Sequence, residues 1–422
     1  MLMEMIRIGL FWAVVGALCW RCEAQVLSGQ WVDQTQQRIT KVRQTEVRVI
    51  VQGHDGHNAA GVTVTIQQQR HAFCLGFTVG EQGLDTFDPT RRVHRCFNGL
   101  ALDRLSAWNR LQPQAAQRDL ETLRSTVIAA QDLQMTIRWG GVISADLGRL
   151  PNWVSELRGQ ALSSVLGAHA HSVLKAYGHS VQQFDLYTHS LDHDLVERYL
   201  GEPMLRRLFE QAHADVPDAA ICVRFEDCLT GRRLHQMIGR VTEMRQAFIP
   251  VDMVAVEHRT SNMQLHSPLS RALEWMGKLP GKMGVVIVGL DVGGASAMAA
   301  ATNLETLLRT LFANPNVRSI WLAGLHEGEL VEPNAALIDA RGEPTATGRT
   351  LDGLFHSVWW TDFSGPTDEL GNVVTPVFFG AHRVEATLKN GTSIHTTVWV
   401  EPSSEQRVIL LEPPPGGVTG GD

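Results

Sequence analysis

The feature that most restricts the fold is a recurrence. Eight short apolar runs, at 73–79, 97–102, 135–143, 183–189, 220–225, 253–257, 284–292 and 317–325, are separated by longer stretches of helical periodicity. Most of the runs are apolar almost without interruption, which is the pattern of parallel strands covered on both faces. Between them, Leu234, Ile238, Val241, Met244 and Phe248 fall on one helical face, as do Leu304, Leu307, Leu308 and Leu311. Strand and helix alternating eight times give the class α/β and, most simply, a closed (β/α)8 TIM barrel. The alternative is a doubly wound open sheet, but no Gly-x-Gly-x-x-Gly follows the first run.

The flanks carry a different period. Residues 46–51 and 62–66 alternate apolar and polar around the turn signal Gly53-His54-Asp55-Gly56, which predicts a hairpin or a small sheet. Beyond about residue 355 the helical pattern stops, and 377–388 and 393–400 read as strands around Lys389-Asn390-Gly391. The two ends are expected to form a small accessory β module. The expected divisions are 1–24 signal peptide, 25–70 N-terminal β hairpin region, 71–355 barrel, 356–411 C-terminal β module and 412–422 flexible tail. The tail opens Pro413-Pro414-Pro415-Gly416-Gly417.

Arg7, the apolar run 8–20 and Cys22-Glu23-Ala24 have the layout of a secretory signal. The run is short for a transmembrane helix, with an uncleaved anchor as the alternative. The expected location is secreted and extracellular, with no membrane contact after signal removal. A net charge of −7 argues against a general nucleic-acid partner, because phosphate attraction needs a positive field. An oxidising compartment permits disulfides. Four cysteines follow the signal: Cys74, Cys96, Cys222 and Cys228. Cys74 and Cys96 fall at the starts of neighbouring predicted strands and form a disulfide candidate. Cys222 and Cys228 are too far apart along an extended segment to bond and read as buried thiols. Asn390 opens an N-glycosylation sequon at the predicted hairpin tip.

Along the chain stand, in order, Phe73-Cys74-Leu75-Gly76, Phe97-Asn98 with Trp108, Ile137-Arg138, Pro151-Asn152-Trp153, Phe184-Asp185-Leu186 led by Tyr177 and Val181, Val251-Asp252, and Leu290-Asp291-Val292. This order of motifs resembles glycoside hydrolase family 10, the endo-1,4-β-xylanase family. Trp360-Thr361, Gly371 and Phe379-Gly380 resemble the C-terminal stretch of animal and plant members. The resemblance runs from about residue 39 to 400 and is much closer in scaffold than in chemistry.

A retaining glycosidase needs two carboxyl groups about 5–5.5 Å apart, a nucleophile and an acid/base. The resemblance puts the acid/base at His189 and the nucleophile at Gly289. Histidine can move a proton, but glycine has no side chain with which to attack an anomeric carbon. The same register makes Asp103, Trp108, Arg138, Glu257 and Arg259 candidates for substrate contact. Trp108 is the candidate to stack a sugar, and Trp139 and Arg138 are expected to fill part of the cleft. Asp185 and Asp291 read as scaffold carboxylates. Glu257 reads as a buried ion-pair partner or a solvated loop residue, or as one half of a relocated pair with Glu226-Asp227.

His169, His171, His179, His189 and His193 lie close in sequence, but His169 and His171 point to different faces of a helix. No metal and no cofactor are expected. The leading expectation is a catalytically degenerate relative, kept for binding a polysaccharide or glycan or for an extracellular structural role. An active hydrolase of xylan or a related β-1,4-glycan with relocated residues is the second reading. New chemistry in the old cleft is the third.

Overall fold

The computed structural model describes residues 29–81, 83–85, 87–189, 191, 198–199, 201–226, 228–229, 231–260, 271–272, 274, 277, 283–332, 334–388, 391–402 and 406–412. The stretch expected to be a signal, Asp227, His193, Asn390 and the Pro-Gly tail lie outside these residues. Among the described residues no helix is long and apolar enough to cross a membrane.

Sixteen strands are described, numbered here in chain order. Eight close into a parallel barrel: β3 (Cys74–Thr78), β4 (Gly99–Ala101), β5 (Thr136–Trp139), β7 (Gln183–His189), β8 (Ala220–Glu226), β9 (Met253–Thr260), β10 (Gly284–Val292) and β11 (Val317–Leu322). Each of the eight apolar runs coincides with one of them, β8 and β9 continuing past the end of the run. Closure is made by β11 on β3, with Ile320 opposite Leu75, and by β5 on β7, with Trp139 opposite Phe184. A two-residue strand, β6 (Ile143–Ser144), extends the sheet beside Tyr187 and Thr188.

Two apolar layers stabilise the barrel. The outer layer lies between strands and helices. The helix Ala297–Phe312 shows how the sequence encodes it: Ser296 caps the start by accepting the Ala299 N–H at 3.2 Å, and Leu304, Leu307, Leu308 and Leu311 are buried on one face. The inner layer is small: Ala101, Cys222, Ala255, Val286, Val288 and Trp321 pack inside the bore. The Trp321 indole takes the space that a side chain on Gly76 would need, and its N–H donates to Ser319 Oγ at 2.9 Å. An indole across the bore makes that level of the barrel solid core rather than pore.

The flanking strands form two further sheets. One has the order β13 (Asn372–Phe378), β1 (Gln44–Gln52), β16 (Gln406–Leu411). The other runs β12 (Asp362–Pro366), β2 (Thr63–His71), β14 (Gly380–Thr387), β15 (Ser393–Val400). They share one core that includes Val47, Val49, Val64, Ile66, Val377, Val384 and Val408. Two expectations need correcting. Strands β1 and β2 are not a hairpin, because each pairs with C-terminal strands in a different sheet. The single strand expected over 377–388 is two, broken at Phe379-Gly380, where Gly380 has φ 141°. The polar stretch before β1 is a helix, Gly29–Arg43. Its last residue, Arg43, donates to the carbonyls of Phe312, Asn314 and Val317 and so ties the flank to the barrel.

The disulfide candidate also fails. All four described cysteines are free thiols. Cys74 faces the bore, where it packs with the inner layer, and burial pushes its thiol up to about 12. Cys96 belongs to the outer layer. The two thiols thus pack in different layers, Cys74 from the start of β3 and Cys96 from the end of the helix Arg92–Arg95.

Trp321→Ala is expected to destabilise the protein by about 3–5 kcal/mol through the cavity left in the bore, measured by urea denaturation. A loss below about 1 kcal/mol would mean that the indole is not a packing element.

Candidate active site

Catalysis in such barrels sits at the C-terminal ends of the strands. Here those ends carry a chain of alternating charge. Arg138 of β5 is fully buried and donates to both Asp185 of β7 and Asp103 in the loop after β4. Arg224 of β8 continues the chain, with Nη1 on Asp103 and Nη2 on Glu257 Oε2 at 2.7 Å. Gln183 donates to Asp185 Oδ1 at 3.1 Å. One guanidinium therefore stands between the Asp103 and Glu257 carboxylates.

Burial alone would raise the Asp103 carboxyl. The Arg138 and Arg224 guanidinium groups outweigh it and hold the group down at about 2. The same carboxylates hold the Arg224 guanidinium well above its ordinary value, against the opposing effect of burial. Asp103 is thus ionised at any working pH near neutrality and cannot serve as a general acid.

Two glycines leave room for this network. A Cβ on Gly140 would run into the Asp103 carboxyl group. Gly289 lies at a register break between β10 and its neighbours and has φ 58°. A Cβ built there would lie 3.3 Å from Glu257 Oε1. A carboxylate from the neighbouring strand, already paired with Arg224, therefore stands beside the place the sequence assigned to the nucleophile.

The remaining candidates divide. Asp185 and Asp291 are structural: Asp291 Oδ2 accepts the N–H groups of Val331 at 2.8 Å and Glu332 at 3.4 Å and so holds the loop after β11. Glu226 lies opposite Glu257 in the β8–β9 ladder, and its carboxylate is paired with Arg149. His189 ends β7 opposite Phe225, and Arg259 pairs with Asp291 in the ladder, but both side chains lie outside those described.

Trp108 borders the cavity at the barrel mouth but presents no open ring face to it. It is 3% exposed, its N–H donates to Gln112, and His169 lies flat on its ring at 3.7 Å. Burial and the nearby Arg118 cation lower His169 to about 3, so the imidazole is neutral. Trp139 does not fill the cleft either: it points outward against Tyr177 and Phe184, while its neighbour Arg138 points inward. Above the network lies a cavity of about 250 Å³ bordered by Asp103, Arg104, Ser144, Arg149, Thr188 and Arg224. Sequence reasoning missed Arg224 as the hub, since the fifth strand carries no motif. Its one available signal was a cation near the end of an apolar strand.

The fold defines the class: a (β/α)8 barrel with its polar network at the C-terminal strand ends. The sequence profile of glycosyl hydrolase family 10 matches residues 66–340, and the chain belongs to that family. It is 18% identical over 380 residues to endo-1,4-beta-xylanase 1 of Arabidopsis thaliana, covering 88% of this chain and 39% of that protein. It is 21% identical over 360 residues to anti-sigma-I factor RsgI6 of Acetivibrio thermocellus, covering 85% of this chain and 47% of that protein. The chain thus spans less than half the length of these relatives. Among solved structures it resembles xylanase 10B of Thermotoga petrophila in complex with xylobiose, with TM-score 0.59, 17% identity, and 68% of this chain and 94% of that chain covered. Native xylanase 10B of Thermotoga maritima gives 0.58 and 16%, covering 68% and 96%.

Arg224→Met is expected to destabilise by about 3–5 kcal/mol, because it strands Asp103 and Glu257 buried without their shared cation. Chemical denaturation measures this, and a loss under about 1 kcal/mol would contradict the network. Asp103 also predicts a pH dependence. A carboxyl lowered on folding contributes stability fully above its ordinary value of 3.8, and the contribution is lost as pH falls towards about 2. Asp103→Asn should flatten that acid limb, and an unchanged limb would assign it to other groups.

Proposed function

We propose that this protein is a secreted, non-catalytic member of glycoside hydrolase family 10 whose barrel mouth binds a β-1,4-glycan of the xylan type. The observation that carries the reading is Gly289 with its neighbour Glu257. Where the family places its nucleophile there is a glycine at positive φ, and the adjacent carboxylate is spent on Arg224. Glycosyl transfer needs a carboxylate free to form a bond and a second carboxyl that is protonated at working pH. Glu257 meets the first condition poorly and Asp103 fails the second.

Binding makes smaller demands. The cavity over the network presents the polar groups of Arg104, Ser144, Arg149 and Thr188, which suit sugar hydroxyls. At about 250 Å³ it is near the lower end of ligand-pocket volumes and would seat one sugar unit, with neighbouring units lying outside it. The extracellular location rests on the N-terminal signal pattern.

One observation favours a second reading, an active hydrolase. The Glu257 carboxylate lies close enough to Gly289 to stand in for the missing nucleophile if substrate displaced Arg224.

The test is the purified protein with β-1,4-xylan, followed both for reducing sugar and for retention on a xylan column. The expected result is retention with no sugar released above buffer. Release at an ordinary enzymatic rate, roughly 1–10³ s⁻¹, would overturn the proposal. Loss of that release in Glu257→Gln would establish the second reading. Gly289→Glu is expected not to create activity, since its φ costs a side chain about 1–2 kcal/mol and Glu257 already occupies the space.

A further inference from the structure

Away from the strand C-termini, Cys96, Asp352 and His356 bring a sulfur, a carboxylate oxygen and an imidazole nitrogen within 4.8 Å of one another. Among the described residues this is the one such group of three. We propose that it binds a zinc ion, with the fourth position open to an adjoining cavity.

The geometry supports a tetrahedral metal. Cys96 Sγ lies 3.7 Å from His356 Nδ1. With bonds of about 2.3 Å to sulfur and 2.0–2.1 Å to nitrogen, tetrahedral ligands are separated by roughly 3.3–3.7 Å. Asp352 and His356 are four residues apart and share a helical face. Asp352 belongs to the helix Ala346–Gly353 and His356 to the π-helical turn Leu354–Val358 that continues it. Cys96 comes from far away in sequence, at the end of the short helix Arg92–Arg95. Three ligands on two rigid segments form a preset clamp. The Asp352 Oδ1–Nδ1 distance of 2.8 Å is that of the hydrogen bond made without metal, and it must open by about 0.5 Å on binding.

The donor set selects the ion. A thiolate with an imidazole and a carboxylate suits zinc, whereas magnesium and calcium take oxygen ligands. The cavity, about 340 Å³, is bordered by both Cys96 and His356 together with His71, Trp360 and Met135. It offers an entry path and room for a water as fourth ligand. Burial keeps the Cys96 thiol protonated when the site is empty. A bound cation reverses that preference. On binding, the thiol proton leaves to solvent, and His356 ligates through Nδ1. Affinity should therefore fall as pH falls.

One residue opposes the metal. Arg92 pairs with Asp352, its Nε 3.1 Å from Oδ2. Its side chain is two-thirds exposed, so it can swing into solvent when a cation arrives. Removing it should tighten binding, whereas a purely structural ion pair predicts no such gain.

The test uses the full secreted chain with zinc(II), and cobalt(II) as a spectroscopic probe. Expected are one zinc per chain, a higher melting temperature with zinc, and a thiolate-to-cobalt charge-transfer band. Cys96→Ser should weaken zinc at least tenfold and abolish the band, and Arg92→Ala should tighten zinc several-fold. No stoichiometric zinc, or binding that Cys96→Ser leaves unchanged, would overturn the proposal. If Cys96→Ser does not fold, the cobalt band of the unmodified chain and the Arg92→Ala affinity decide it. Absence of the band, or no tightening, counts against the site.

Discussion

The structure at the barrel mouth depends on one interaction, the bridging of two carboxylates by the Arg224 guanidinium. Arg224 reaches Asp103 with one terminal nitrogen and Glu257 with the other, and Asp103 is shared in turn with Arg138. Burying a charge is costly unless it is paired and hydrogen-bonded. Each member of this chain makes burial of the next one tolerable. The two guanidiniums and three carboxylates therefore form one ion-pair network in which every carboxylate has a cationic partner.

The network explains two glycines beside it. Gly140 leaves space for Asp103, and Gly289 leaves space beside Glu257. Read one at a time, these are absent side chains. Read together, they are the room a different charge arrangement occupies. Family membership thus sets the scaffold and the position of the site, while the chemistry must be argued from the side chains present.

The barrel was legible in the sequence because its signal is local. Continuous apolar runs and helical faces such as that of Leu304 and Leu308 survive in any tertiary context. What failed depends on direction or on distant partners. Trp139 and Arg138 are adjacent, and only strand alternation decides which one enters the bore. Cys74 and Cys96 sit close in sequence, yet pack in different layers. Trp108 does border the cleft, but as a stacking surface it is covered by His169 on a later helix. Strands β1 and β2 look like a hairpin because their partners lie some 300 residues away. Asp185 and Asp291 read as scaffold groups, and each is held by its surroundings: Asp185 by Arg138 and Gln183, Asp291 by the N–H groups of Val331 and Glu332.

The most direct measurement of the central claim is covalent trapping. A fluorinated xylobioside with an activated leaving group forms a long-lived glycosyl-enzyme wherever a competent nucleophile exists, and intact-mass spectrometry detects it. The account predicts no mass gain after prolonged incubation. A stoichiometric adduct mapped to Glu257 would show that this carboxylate leaves Arg224 and attacks, and would contradict it.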